Sequence, residues 1–317
     1  MTTVQDLGRH GYRQFGVGVS GALDTLAAAV GNAMLGNDAA CAFVEIMLFP
    51  FRVRFGADSR IALTGADARA ALDGDPVWPW WCLPVRAGQV LSLQAPESGG
   101  VAYLCIDGGI DVPPVLGSRS TDLKAGFGGF EGRTLRRGDR LQHTAIARTH
   151  PSTHTLKKFG AVPPITALLI DGIAEQETTQ VRVLPAAEWG SFSSAAREIF
   201  LSIHWKVSPN SNRIGARLEG PAINPERELE LLSHGIVPGV IQIPPSGQPI
   251  VMQCDAQTSG GYPKIATVIE ADQWRVAQTP LGGRLCFRAV SLEEAHDALT
   301  AQHAYLRNVR RAAELVG

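Results

Sequence analysis

The chain has 317 residues, 45% of them hydrophobic and 19% charged, with a formal net charge of −1. That is enough apolar residue for one large or two ordinary globular domains. The near-neutral, well-mixed charge excludes a nucleic-acid surface, which needs a clustered positive field. No apolar run approaches the roughly 18 residues of a membrane span. Met-Thr-Thr-Val-Gln-Asp-Leu-Gly-Arg9 lacks the basic-then-apolar order of a secretory leader, so a cytoplasmic protein is expected.

In chain order, Ser20 is placed to cap a helix starting near Ala22, with Leu23, Leu26, Ala27, Val30 and Met34 as its apolar stripe and Gly36-Asn37 as its stop. Short strands follow at Phe51-Arg-Val-Arg-Phe, Arg60-Ile-Ala-Leu-Thr, Val90-Leu-Ser-Leu and Val101-Ala-Tyr-Leu-Cys-Ile, separated by the turn dipeptides Asp73-Gly and Ala87-Gly. Arg133, Arg136, Arg137 and Arg140 are interrupted by Gly138-Asp139 and read as a solvated hairpin rim. From Ala147 to Pro164 the composition turns polar and patternless. The expected organisation is an N-terminal β lobe over 1–150, a linker over 151–164 and a C-terminal β lobe over 165–317. A short helix is expected from Ser193 to Phe200, then strands at Val240-Ile-Gln-Ile and Lys264-Ile-Ala-Thr-Val-Ile. Ser291-Leu-Glu-Glu294 is a capping box opening a C-terminal helix. Many short strands, with 34 Gly and 20 Pro, point to barrels or sandwiches and not to a doubly wound sheet.

Five cysteines lie far apart without a CxxC pair, as expected of a reducing compartment, with Cys105 and Cys286 in core strands. There is no GxxxxGK[ST] loop and no GxSxG elbow, and Gly126-Phe-Gly-Gly-Phe-Glu-Gly132 has turn-cluster rather than dinucleotide spacing. His150 and His154 are four apart but follow a proline-broken linker pattern, so no metal site is expected.

Polar chemistry gathers in four glycine-rich segments: Thr3 to Asp24, which includes Ser20 and Asp24; Gly108 to Thr121, with Ser118, Arg119 and Ser120; Ser208 to Gly220, with Asn212 and Arg213; and Asp255-Ala-Gln-Thr-Ser-Gly-Gly-Tyr-Pro-Lys264. Glycines let backbone approach a ligand, and hydroxyls and guanidinium groups are donors for carboxylate or phosphate oxygens. An anion or carboxylate site between lobes is the expectation. In the last segment Lys264 is the cation, Tyr262 a hydrogen-bond donor, and Asp255 and Gln257 orient a substrate amide.

These stretches resemble the allophanate hydrolase subunit 2 family, also described as KipA-like or as the C subunit of 5-oxoprolinase, whose unit recurs in the carboxyltransferase domain of urea carboxylase. The likeness is carried by TTVQDLGRHGY, GVSGALD, IALTGADA, GGIDVPPVLGSRST, SNRIGARLEG and IQIPPSGQPIVMQCDAQTSGGYPKIATVI, in order along nearly the whole chain. It implies a mainly β fold with cyclophilin-like β-barrel lobes and few helices. It further implies a KipI-like partner (the B subunit of such an enzyme), a third 5-oxoprolinase subunit, and ATP-dependent opening of 5-oxoproline to L-glutamate. On that view Arg119, Arg213 and Lys264 clamp oxygens while Ser118, Gln257 and Tyr262 position the amide, and ATP binds at an interface or on a partner. The alternatives are a carboxyltransferase component using carboxybiotin on urea or a similar amide, and a non-enzymatic protein that sequesters a KipI-like inhibitor. Relatives commonly carry a strand ahead of TTVQD, and Tyr where Ala216 stands, which suggests a more open site wall here.

Overall fold

The computed structural model describes residues 1–144, 158–164, 178–227 and 229–316. The first half of the expected linker, 151–157, the His150/His154 pair and the start of the expected second lobe, 165–177, lie outside the described residues. Contacts divide the chain into two compact units: Met1–His10 with Ser20–Leu169 and His303–Gly317, and Gly11–Val19 with Ile170–Gln302.

The first unit holds strands β1 (Thr2–Gln5), β2 (Phe43–Ile46), β3 (Phe51–Arg54), β4 (Ser59–Asp67), β5 (Ala70–Leu72), β6 (Asp75–Val77), β7 (Trp81–Val85), β8 (Val90–Leu93), β9 (Ser98–Ile106) and β10 (Phe159–Gly160). They form a six-stranded sheet of order β1-β2-β9-β4-β7-β10 and a four-stranded sheet of order β3-β8-β5-β6. One core of Val4, Val44, Ile61, Leu63, Leu83, Leu91 and Leu93 is drawn from both. Asp73 and Gly74 take positive φ of 51° and 96°, the left-handed pair that a tight β5–β6 hairpin requires. Helix α1 (Thr25–Leu35) lies on β4 and β9; at Gly31 a methyl group would stand 2.6 Å from Cys105 Sγ, so only glycine permits that approach. Asp24, not Ser20, caps α1, with its carboxylate accepting from Ala27 N at 2.8 Å. Ser20 instead sits at φ 53° in the loop before it. Gly36 closes the helix in the left-handed conformation.

The second unit is a closed barrel of order β11-β18-β15-β16-β13-β12-β19. Its strands are β11 (Thr178–Pro185), β12 (Trp205–Val207), β13 (Gly215–Glu219), β15 (Val240–Gln242), β16 (Ile250–Met252), β18 (Lys264–Val268) and β19 (Arg284–Ala289); β14 (His234–Gly235) and β17 (Ser259–Gly260) make a separate ribbon. The parallel pairing of β11 with β19 closes the ring, and all its other pairings are antiparallel. Alternate inward residues, among them Val181, Val183, Leu218, Ile241, Val251, Ile265 and Phe287, fill it with Trp205, whose indole N–H donates to Phe200 O at 3.0 Å. Ala216 belongs to this packed core at 1% exposure, so its small size does not open a site wall.

Ser193 caps α2 (Ser194–Ser202) through Ala196 N, as its hydroxyl predicts. Helix α3 (Gln273–Gln278) is one the sequence pattern does not announce, being under two turns long. The reciprocal bonds of the capping box form at α4 (Leu292–Val316): Ser291 Oγ accepts from Glu294 N and Glu294 Oε2 from Ser291 N, both at 3.1 Å. Arg133 pairs with Asp139 at 2.7 Å and with Glu131, while Arg136, Arg137 and Arg140 are exposed. No described helix is long and apolar enough to cross a membrane, and no group of metal-ligating side chains occurs among the described residues.

Candidate functional site

The expected site residues fall into two groups, one in each unit. In the first unit Asp6, just beyond β1, collects the glycine-rich 117–121 loop. Its Oδ1 accepts from Gly8 N at 2.8 Å and Ser118 Oγ at 2.7 Å, and also from Ser120 Oγ; its Oδ2 accepts from Arg119 N at 2.5 Å. Ser118 Oγ accepts in turn from Ser120 N, and Ser120 Oγ from Asp6 N, both at 3.0 Å. Each serine hydroxyl therefore donates once and accepts once inside the protein, at 1% and 0% exposure, and has no hydrogen left for a ligand. Arg119 turns its Nε to Val112 O at 3.1 Å. Arg9, fully buried, ties the same loop down through Val115 O and Ser120 O, both at 3.0 Å.

The glycines at 126, 128, 129 and 132 all have positive φ. A side chain at 128 would meet the Ser120 carbonyl, and one at 129 the Thr121 side chain. Gly128 and Gly129 thus serve close packing against residues 120 and 121, a side chain at 132 would meet Gly126 O, and Gly126 itself faces open space. Asp24, 1% exposed, is occupied as the α1 cap. Its amide donates to Tyr103 Oη at 2.8 Å, and Tyr103 Oη donates to Glu45 Oε2 at 2.9 Å. Burial, then the Glu45 and Asp24 carboxylates, hold the Tyr103 phenol well above its ordinary pKa, which keeps it a donor.

In the second unit Asp255 and Arg213 form a two-point ion pair at 2.8 and 3.1 Å, with Arg213 only 2% exposed. It fastens the 253–257 turn to the turn before β13, where Asn212 Oδ1 accepts from Ile214 N at 2.9 Å. These three side chains are engaged in shaping loops. Gln257 and Tyr262 are exposed.

Lys264 is different. It opens β18 and is 6% exposed as a residue. Its Nζ contacts His234 Nε2, and its backbone N–H donates to Glu188 Oε2 at 3.0 Å; Glu188 Oε1 lies 3.7 Å from His234 Nε2. His234 Nδ1 lies 3.0 Å from Leu232 O, an acceptor, which assigns the proton to Nδ1 and leaves Nε2 to accept from Lys264. Burial lowers the Lys264 pKa, and the Glu188 carboxylate partly opposes that shift. A desolvated ammonium backed by an imidazole and a carboxylate can stabilise negative charge on a bound oxygen, or pass a proton to it. Glu188 and His234 carry no motif; they lie 76 and 30 residues from Lys264 and meet it only through the fold.

Residues 15–289 match the carboxyltransferase domain, subdomain A and B, family, and the chain belongs to it. It is 46% identical to the 5-oxoprolinase C subunit of Escherichia coli over 97% of this chain and 94% of that one, and 40% identical to the 5-oxoprolinase C subunit of Haemophilus influenzae over 98% and 94%. The crystal structure of the K. lactis urea amidolyase superposes with a TM-score of 0.86 at 29% identity, covering 97% of this chain and 19% of that one.

Proposed function

We propose that this chain is the C-type component of a cytoplasmic, ATP-dependent 5-oxoprolinase that opens 5-oxoproline to L-glutamate, working with a KipI-like partner and a third subunit and inactive without them. The observation that carries the reading is the 46% identity to a protein of that name across almost the full length of both chains. The reaction consumes 5-oxoproline, ATP and two waters and yields L-glutamate, ADP and phosphate. ATP supplies phosphoryl activation of an otherwise unreactive amide. Gly128 and Gly129 are taken up by packing within this chain, which favours placing ATP on a partner or at an interface.

This chain contributes the lactam end. The Lys264 ammonium holds the ring carbonyl oxygen while that oxygen takes the γ-phosphoryl group of ATP and ADP leaves. Water then adds to the activated carbon, the ring C–N bond breaks with the nitrogen taking a proton, and a second water releases phosphate. His234 accepts a proton from Lys264 or returns one, and Glu188 stabilises the imidazolium that results. Tyr262 and Gln257, exposed at the same segment, position the substrate at the mouth.

The second reading, transfer of a carboxyl group from carboxybiotin to urea or a similar amide, is favoured by the 0.86 TM-score to the K. lactis urea carboxylase structure, of which this chain spans 28%. One experiment separates the two. The chain is purified with its KipI-like partner and the third subunit, and ADP release is followed with 5-oxoproline and with urea. Release with 5-oxoproline alone supports the proposal; release with urea alone overturns it. Partner binding with neither release would leave a non-enzymatic, KipI-sequestering protein.

A further inference from the structure

Of the three side chains in the Lys264 cluster, His234 is the open one. It is 41% exposed, against 13% for Glu188, while Lys264 is 6% exposed as a residue. A group coming from solvent to the ammonium therefore arrives beside the imidazole. His234 belongs to the β14–β17 ribbon, which stands apart from the barrel ladder. The cation at the end of that approach is complementary to a phosphate-bearing ligand.

The ribbon is fringed by apolar side chains in solvent. Leu232 is 91% exposed, the most of any large apolar residue described, with Val237 at 50% and Tyr262 at 47%. The backbone makes them neighbours. Leu232 O lies 3.0 Å from His234 Nδ1, a methyl group built on Gly261 would stand 3.1 Å from Leu231 O, and Ile236 N donates to Thr258 O at 3.0 Å. Leu232 and Tyr262 thus flank one end of the ribbon, and Val237 follows the other. Single exposed apolar residues are ordinary, but a group of them around the open residue of a charged cluster marks an interaction surface.

The reaction decides which partner lies there. Phosphoryl transfer needs the phosphorus and the accepting oxygen within bond-forming reach. With ATP outside this chain, the subunit that holds it has to bring the γ-phosphate to the oxygen held by Lys264, and so to the side of the cluster where His234 is open. We propose that the β14–β17 ribbon, with Leu232 at its end, is the surface on which the ATP-holding subunit docks. The partner face that fits is apolar opposite Leu232, Tyr262 and Val237 and presents the phosphates of its nucleotide to the ammonium. Docking buries Leu232. The assignment deepens the 5-oxoprolinase reading and rests on it.

The test uses the full chain with its two partner subunits. Leu232→Asp should weaken association with the ATP-holding subunit about 30-fold, read by titration of the chain with that subunit. The melting temperature of the chain alone should stay that of the wild type, because the side chain is almost fully in solvent. Leu315→Asp, at a leucine of the other unit that is 88% exposed, should associate as the wild type does. In a second arm p-benzoylphenylalanine replaces Leu232 and the assembled complex is irradiated; it should attach to the same subunit that azido-ATP labels. Association of Leu232→Asp within about threefold of wild type, equal weakening by Leu315→Asp, or attachment to a subunit that azido-ATP leaves unlabelled overturns the assignment and leaves the 5-oxoprolinase reading standing. A wild-type complex that assembles and does not turn over 5-oxoproline overturns both.

Discussion

The Asp6 knot gives the prediction with the most directly countable energetics. Asp6→Asn keeps the shape and replaces one acceptor oxygen by an NH2 group. Whichever way the amide turns, a donor then faces a donor. On the Oδ2 side it meets Arg119 N; on the Oδ1 side it meets Gly8 N and the two serine hydroxyls. The less costly orientation loses one charge-assisted bond and leaves one buried N–H unpaired, about 3 kcal/mol in all. Hydrogen exchange read by mass spectrometry on peptides covering β1 and residues 117–121 is the assay, because it reports this corner rather than the whole chain. A loss of about 3 kcal/mol corresponds to exchange faster by roughly 10²-fold at those amides. Ser118→Ala removes one of the carboxylate's four donors and also the acceptor of the buried Ser120 N–H, so it should cost about 2 to 3 kcal/mol. Exchange in Asp6→Asn that is indistinguishable from wild type would refute the argument that this carboxylate holds the 117–121 loop.

Two further outcomes follow from the second unit. Asp255→Ala leaves the nearly buried Arg213 guanidinium without its carboxylate and should cost about 3 kcal/mol in urea unfolding, part of which Arg213→Met in the same chain restores. Loss of turnover with unchanged stability would instead make Asp255 a catalytic group. Lys264 sets a pH dependence. Its folded pKa is lowered by burial, so between that value and the ordinary lysine value the unfolded chain holds a proton that the folded chain lacks, and stability rises with pH. Wild type should therefore gain on Lys264→Met in urea midpoint as pH is raised from neutrality towards about pH 10, and a gap that stays flat would contradict the burial.

The local features of the fold are legible because they are written in neighbouring residues. Ser193 with Ala196, the Ser291/Glu294 box, Gly36 after α1 and the Asp73-Gly74 turn each need only a few positions. The cap of α1 misleads because Ser20 and Asp24 are both good caps, and Ser20 is held at positive φ four residues too early. Residue type also cannot reveal whether a donor is already engaged. The GSRST hydroxyls look like ligand donors until Asp6, 112 residues from Ser118, is seen to take them. Lys264 stands out in the sequence as the cation of its segment, but Glu188 and His234 reach it only when β18 and the β14–β17 ribbon are in place.

The central claim is that Lys264, backed by His234 and Glu188, acts on the lactam within an ATP-consuming complex. Glutamate and ADP formed from 5-oxoproline by the assembled complex, wild type against Lys264→Met, test it most directly. The account predicts glutamate and ADP in equal amounts from wild type, and neither from a variant that still assembles with its partners. Lys264→Met turning over 5-oxoproline at the wild-type rate would contradict it.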